Sequence, residues 1–302
     1  QAVQSTVVQA SEPKTGSILA LVSTPSYDTN LLASHDSAAV EEAYQQLLDA
    51  EGDPLFNRAI AGNLNPPGST FKVVVAAAAL ESGKYTANSA LPNPAQYQLP
   101  QSTNIVTNAS GGTCGPGETV TIADALRLSC NIPFAELAVE LGDATIREQA
   151  EKFGWNESFE TPLTSTPSFY PPTLDDARTA LSGFGQGDVT ATPLQIVMMS
   201  AAIANDGVVM APTMIDRVIA PDLAIEFETV ASEVGRAVDK KNNETLVSMM
   251  TANVANGAAG GARIEGVTVA GKTGTAENDD RPYTLWFTGF APAEDPEIAI
   301  AV

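Results

Sequence analysis

Pro66-Pro67-Gly68-Ser69-Thr70-Phe71-Lys72-Val73-Val74-Val75-Ala76-Ala77-Ala78-Ala79-Leu80 decides how the rest of the chain is read. The two prolines and the glycine stop the preceding segment. Phe71 to Leu80 is then apolar on every face apart from Lys72, the pattern of a helix buried all round. The spacing predicts a central helix over 69–80, with Ser69 in its first turn and Lys72 one turn on, on the same face. Free N–H groups and the positive end of the helix dipole favour negative charge developing on the Ser69 oxygen. A lysine drawn into such a helix must find partners, lose its proton or snorkel to the surface. A desolvated, neutral amine beside a hydroxyl is a general base.

Outward from this helix the pattern stays helical, with Pro- and Gly-rich loops, over 38–50, 122–128, 133–141, 144–153, 174–181, 193–204 and 242–255. Strand-like segments lie at the two ends: Val7 to Ala10 and Ser17 to Ser23 first, then Val267 to Ala270, Thr284 to Phe290 and Glu297 to Val302. Strands at both ends with helices between predict an α/β sandwich, whose antiparallel sheet is closed by the two termini and whose helical insertion forms the second half of a cleft. The segment 82–119, rich in Asn, Pro, Ser and Gly, reads either as a functional loop or as a surface excursion.

Composition narrows the chemistry. The 302 residues, 44% hydrophobic and 17% charged, carry a net charge of −21, which argues against a nucleic acid or an anionic membrane surface as partner. One His and two Cys cannot supply the usual ligands of a zinc, haem or iron–sulfur site, so neither a metal nor a cofactor is expected. His35 sits in the polar stretch Leu32-Ala33-Ser34-His35-Asp36-Ser37 and reads as a solvated loop residue. An enzyme built on this chain would take its base from Lys, Glu, Asp or Tyr. The chain begins at Gln1 without Met and reads as part of a longer protein, with any targeting segment or anchor outside it.

Each short motif is cheap alone. Chance supplies about half a Ser-x-x-Lys match in a chain of this composition, and Ser11 to Lys14 is a second copy, lying across a Pro-containing turn. Ser129-Cys130-Asn131 falls at a break between two helices, where both polar side chains can project into a cleft; the alternative is an ordinary helix terminus capped by Asn131. Lys272-Thr273-Gly274-Thr275 follows a strand-like segment, and Gly271 and Gly274 let a substrate backbone lie close along it. Residues 266–273 also spell a phosphate-binding loop, G-x-x-x-x-G-K-T, which would make the chain a nucleoside triphosphatase. Val-Thr-Val-Ala is β-prone where that loop needs a flexible turn, and no helix is expected at Lys272.

In order along the chain, the motifs at Ser69, Ser129 and Lys272 are the set found in penicillin-binding proteins and serine β-lactamases. The chain resembles the transpeptidase domain of a class B penicillin-binding protein from about Val7 to Val302. Support comes from Lys14-Thr15-Gly16, Gly185-Gln186-Gly187 and Thr192-Pro193-Leu194-Gln195. Residues 1–6 would be the remnant of an N-terminal region. The resemblance implies the penicillin-binding/β-lactamase fold, a five-stranded antiparallel sheet flanked by helices with a helical subdomain. It implies a D,D-transpeptidase that cross-links peptidoglycan stem peptides through a serine acyl-enzyme and is inhibited by β-lactams. By position, Ser69 would be acylated, Lys72 and Ser129 would move protons, and Asn131 would hold the substrate amide. Lys272, Thr273, Gly274 and Thr275 would bind the terminal carboxylate, with the backbone N–H groups of Ser69 and Thr275 as oxyanion hole.

Further expectations follow from the resemblance. The enzyme would work on the extracytoplasmic face of the membrane, held by an N-terminal helix outside this chain, beside cell-division or elongation proteins. Cys114 and Cys130 would be disulfide-bonded in that oxidising compartment, pinning the 129–131 loop; the alternative is a pair of buried thiols. A short lead into the first strand suggests residues missing between Thr6 and Val7, and a closing helix is expected after the last strand. The same fold also houses serine β-lactamases and β-lactam sensors. Glu157, Glu160 and Glu277 read as exposed polar-loop residues, unsuited to activating a deacylating water, and Asn131 disfavours the pattern with Val there. A long-lived acyl-enzyme is therefore expected.

Overall fold

Thr6–Ser11 (β1) and Ile18–Thr24 (β2) form an antiparallel hairpin, and β1 runs unbroken through Thr6 and Val7, which face Thr24 and Ser23. Three strands from the far end complete the sheet: Ala270–Asn278 (β3), Arg281–Ala291 (β4) and Ile298–Ala301 (β5), in the order β3-β4-β5-β1-β2. The computed structural model describes residues 5–62, 64–278 and 281–302. Its β1–β5 pairing sets Gln9 opposite Ala301, so the first and last strands are neighbours in the middle of the sheet.

Among the described residues eight α-helices fill the interval: Ser37–Leu48 (α1), Lys72–Glu81 (α2), Ile122–Leu128 (α3), Ile132–Leu141 (α4), Asp143–Lys152 (α5), Asp176–Ser182 (α6), Pro193–Ala204 (α7) and Lys240–Asn256 (α8). Every residue of α7 is buried; it packs on β4, β5 and β1, and the Ser200 and Thr288 hydroxyls, 2.7 Å apart, tie it to β4. α8 lies along β3. Between them α2 is surrounded by α3, α4, α5 and α8, which explains why a helix of Val, Ala and Leu without a polar face forms here. Among the described residues no helix is long and apolar enough to cross a membrane.

The structure corrects the sequence reading in three places. β3 begins at Ala270, three residues later than Val267, because pairing with β4 selects the strand and Val267 instead closes a turn onto Ile264. It also continues through Glu277, so Glu277 is a strand residue and not a loop residue. The segment 82–119 is not free of structure: Ala90–Pro92 pairs with Thr119–Thr121, and Gln96–Gln98 with Ile105–Thr107. Strands of three residues are too short to leave a period in the sequence.

Candidate active site

Ser69 lies in a single 3-10 turn, Gly68–Thr70, that feeds α2. Gly68 has φ +53°, and a β-carbon there would stand 2.8 Å from the Thr275 carbonyl oxygen. A β-carbon on Gly185 would meet the Gly68 carbonyl oxygen at 2.0 Å, and the Gly68 N–H donates to the Gly185 carbonyl at 2.9 Å. The indole N–H of Trp286, on β4, donates to the Pro66 carbonyl at 3.0 Å. The Ser69 turn is thus pressed between β3, β4 and the Gly185-Gln186-Gly187 loop.

Lys72 is fully buried, and its Nζ lies 2.9 Å from Ser69 Oγ, 2.8 Å from the Ser129 carbonyl oxygen and 2.8 Å from Asn131 Oδ1. Burial, with the Lys272 charge adding to it, holds this amine well below the usual lysine range. All three partners are oxygens, which suit an ammonium with three donors; once neutral, the amine keeps two N–H groups for the carbonyl and the amide oxygen, and its lone pair can receive the Ser69 proton. That is the geometry of a base poised to take the serine proton.

Facing it, Ser129 ends α3 in the left-handed conformation, φ 60°, which turns the chain sharply into α4. The Asn131 side chain makes no cap to α4; its Oδ1 is on Lys72 and its Nδ2 donates to the Thr107 carbonyl at 3.1 Å. The helix start is capped by Asn108, whose Oδ1 accepts from the N–H groups of Asn131 at 2.8 Å and Ile132 at 3.1 Å. Asn108 was missed in the sequence, where nothing separates it from the other polar residues of 82–119. Cys114 and Cys130 form a disulfide with Cα atoms 5.7 Å apart. Asn93 fixes the Cys114 end by accepting from its N–H at 2.6 Å and donating to its carbonyl at 3.1 Å. From α8, Asn253 donates to the α3 carbonyls of Leu126 and Arg127.

The third side of the cleft is β3, the edge strand, with Thr273, Thr275 and Glu277 alternating on one face. Lys272 is fully buried, and burial lowers its pKa to about 7. Its Nζ donates to Ser129 Oγ at 2.7 Å and to the Thr273 carbonyl at 2.9 Å. The hydroxyl of Ser129 is therefore on Lys272, whereas Lys72 reaches Ser129 only through its main chain. Among the described residues neither lysine is in an ion pair. An anion entering between them would meet a site without a counter-charge.

All the residues of the three motifs thus converge, although 203 positions separate Ser69 from Lys272. Lys272 and Thr273 lie inside β3, opposite Thr288 and Phe287, and no helix begins there, which removes the phosphate-loop reading. The second Ser-x-x-Lys, Ser11 to Lys14, closes the β1–β2 turn, with Lys14 paired to Asp295 at the surface. His35 is exposed ahead of α1.

Residues 6–302 match the family described as the penicillin-binding protein transpeptidase domain. Peptidoglycan D,D-transpeptidase PbpA of Mycolicibacterium smegmatis is 42% identical over 300 residues, 98% of this chain and 60% of the relative; its Mycobacterium tuberculosis counterpart is 41% identical over the same shares. The chain therefore spans about 60% of the length of these curated relatives. Among solved structures, the imipenem acyl-enzyme complex of penicillin-binding protein A from M. tuberculosis superposes with a TM-score of 0.94 at 41% identity, covering 98% of this chain and 68% of that one. From the sequence alone, Ser23 to Asp28 and Leu31 to Asp36 are expected to carry the likeness to the actinobacterial penicillin-binding protein A.

Proposed function

Since the chain belongs to the penicillin-binding protein transpeptidase family, we propose that it is the catalytic domain of a peptidoglycan D,D-transpeptidase and a covalent target of β-lactams. The observation that carries this reading is the buried Lys72 amine, held by the Ser129 carbonyl and Asn131 Oδ1 within 2.9 Å of Ser69 Oγ. Lys72 takes the Ser69 proton as Oγ attacks the carbonyl carbon of the penultimate D-Ala of a stem peptide. The backbone N–H groups of Ser69 and Thr275 receive the oxyanion, a term worth several kcal/mol in acyl transfer. As the C–N bond to the terminal D-Ala breaks, the leaving nitrogen takes a proton from the Ser129 hydroxyl, and the proton that Lys72 removed from Ser69 passes to Ser129 in its place, so that Lys72 is neutral for the next step and Lys272 keeps its charge. An acceptor amine then attacks the acyl-enzyme, with Lys72 again removing a proton.

Asn131 retains one amide N–H for the substrate carbonyl, and Lys272 with the Thr273 and Thr275 hydroxyls suits the terminal carboxylate. Gly274 contributes by its bareness: a β-carbon there would lie 2.9 Å from the Pro67 carbonyl oxygen. The reaction takes place on the extracytoplasmic face of the membrane, within a division or elongation complex; the support for both is family membership. Glu157 and Glu160 are exposed, which supports a long-lived acyl-enzyme.

Intact mass spectrometry after mixing with a fluorescent penicillin tests the reading. Wild type should gain one adduct, and Ser69→Ala should fold and gain none. Labelling that persists in the variant would refute Ser69 as nucleophile. Penicillin consumption followed by absorbance should stop after one equivalent; sustained rapid hydrolysis would make the chain a β-lactamase.

A further inference from the structure

A cavity of about 550 Å³, within the span of small-ligand sites, lies between α5 and the segment 156–172; its lining includes Arg147, Glu151, Asn156, Pro167, Phe169 and Pro172, and none of the three motifs contributes to it. Its walls are fixed from within the chain. Asn156, left-handed at φ 69°, donates its N–H to the Ser168 carbonyl at 2.8 Å, accepts the Tyr170 N–H on Oδ1 at 2.9 Å and reaches Glu151 Oε1 from Nδ2 at 3.1 Å. Phe169 exchanges both main-chain hydrogen bonds with Thr190, at 3.0 and 2.9 Å. The two rings of this segment differ in their use. Tyr170 is buried and stacks on Phe71, whereas Phe169 is 45% exposed and, among the described residues, no ring packs on it. Phe169 also lines the cavity beside Pro66 and Gln186, so it stands on the ridge between the two. A bare ring on a fixed backbone is preorganised to be a platform.

The polar groups around this ring are of both signs. Arg147 gives its Nη1 to Asp143, at 3.3 Å, and to the Pro172 carbonyl, which leaves the donors of Nε and Nη2. Glu151, one helical turn on, is exposed and, among the described residues, in no ion pair. A phosphate would meet the Glu151 carboxylate, and an ammonium the Arg147 guanidinium. The lining suits instead a neutral ligand that both donates and accepts hydrogen bonds and has an apolar face to lay on a ring. A pyranose has that face in its C–H groups and those donors and acceptors in its hydroxyls; an N-acetyl group adds an amide, and a methyl for the edges of Pro167 and Pro172. We infer that this cavity binds a stretch of glycan built of N-acetylated hexosamines, the strand from which stem peptides hang, with Phe169 as its stacking platform. The inference rests on the acyl-transfer reading above and adds a hold on the polymer to the hold on the peptide.

The test titrates the whole chain with chitotetraose, an N-acetylated glycan without peptide, followed by saturation-transfer NMR. Wild type should bind it, and should still do so once benzylpenicillin has acylated the serine, because cavity and cleft share no motif residue. Phe169→Ala should weaken binding about fivefold, the usual worth of one stacked ring, and Phe169→Trp should retain it. Glu151→Ala should weaken it about threefold, whereas Leu223→Ala, 82% exposed on the 217–228 hairpin, should change nothing. No transfer to the sugar, or binding undiminished in both Phe169→Ala and Glu151→Ala, would overturn the glycan site, while acylation by benzylpenicillin keeps the acyl-transfer reading standing. Binding lost on acylation would put the sugar in the cleft and overturn it as well. A chain that benzylpenicillin does not acylate would sink both.

Discussion

On one side of the cleft, Ser69 and Lys72 stand on α2 and the turn that feeds it, where every residue from Lys72 to Leu80 is buried. On the other, Ser129 and Asn131 stand on the break between α3 and α4, where the backbone passes through a left-handed residue. The first wall is held by apolar packing with neighbours on all sides. The second is held by cross-ties from distant segments: Asn108, Cys114 with its Asn93 brace, and Asn253. A regular helix satisfies its own backbone and needs only a place to be buried, whereas an irregular turn must have its N–H and C=O groups satisfied by side chains. The chemistry of the second wall therefore depends on residues that never touch a substrate.

The largest effect should come from the packed wall. Lys72→Ala should slow acylation by penicillin about 10²- to 10⁴-fold, the usual worth of a positioned general base, while noncovalent affinity changes far less. Stopped-flow acylation separates the two, and a rate within tenfold of wild type would show that packing, and not proton transfer, is what Lys72 supplies. On the tied wall, Cys114→Ala/Cys130→Ala removes a link that closes a loop with a sequence separation of 16 and should lower unfolding free energy by about 3 kcal/mol in urea titrations. An unchanged urea midpoint would make the bond incidental.

Asn108→Ala leaves the N–H groups of Asn131 and Ile132 without their acceptor and should cost about 1–3 kcal/mol. It should also slow acylation although Asn108 touches none of the motif side chains; a variant that is destabilised yet acylates at the wild-type rate would reduce Asn108 to a structural cap. The smallest effect is one of pH. Lys72 must be neutral to accept the proton, and burial favours its neutral form; acidification protonates it and slows acylation. Lys272 must be charged to hold a carboxylate, and with a pKa of about 7 it loses that charge as pH rises. The wild-type second-order rate should therefore fall above about pH 7, by up to about tenfold per unit. Lys272→Arg stays charged and should flatten this alkaline limb. Identical limbs in both proteins would assign the titration to another group.

How much of this was legible in the sequence follows the same division. The buried wall was readable, since an apolar run on all faces beginning at Pro-Pro-Gly gives the helix and Lys72 in it, although Ser69 lies in the 3-10 turn ahead of the helix and not in its first turn. The break at Ser129 to Asn131 was readable as a break. Its ties were not: Asn108 and Asn93 are two among many Asn in a polar segment, and the partner of the Ser129 hydroxyl lies 143 positions away. Glu277 was misread because Ala276-Glu277-Asn278 is poor in strand-forming residues, and pairing with β4 overrides that propensity.

The neighbouring of β1 and β5 sets the order in which the sheet can come into being. The β1–β2 hairpin forms early, but the far edge of β1 has no partner until residues 298–301 arrive almost three hundred positions later. Such a contact is slow, because the loop-closure entropy is lost before the pairing returns anything. Through that delay the open edge is an invitation to pair with another chain. The helical middle, rich in local contacts, has no such wait. Because the Ser69 turn is itself pressed by β3 and β4, Ser69 and Lys272 reach their places together, only once those strands have joined the sheet.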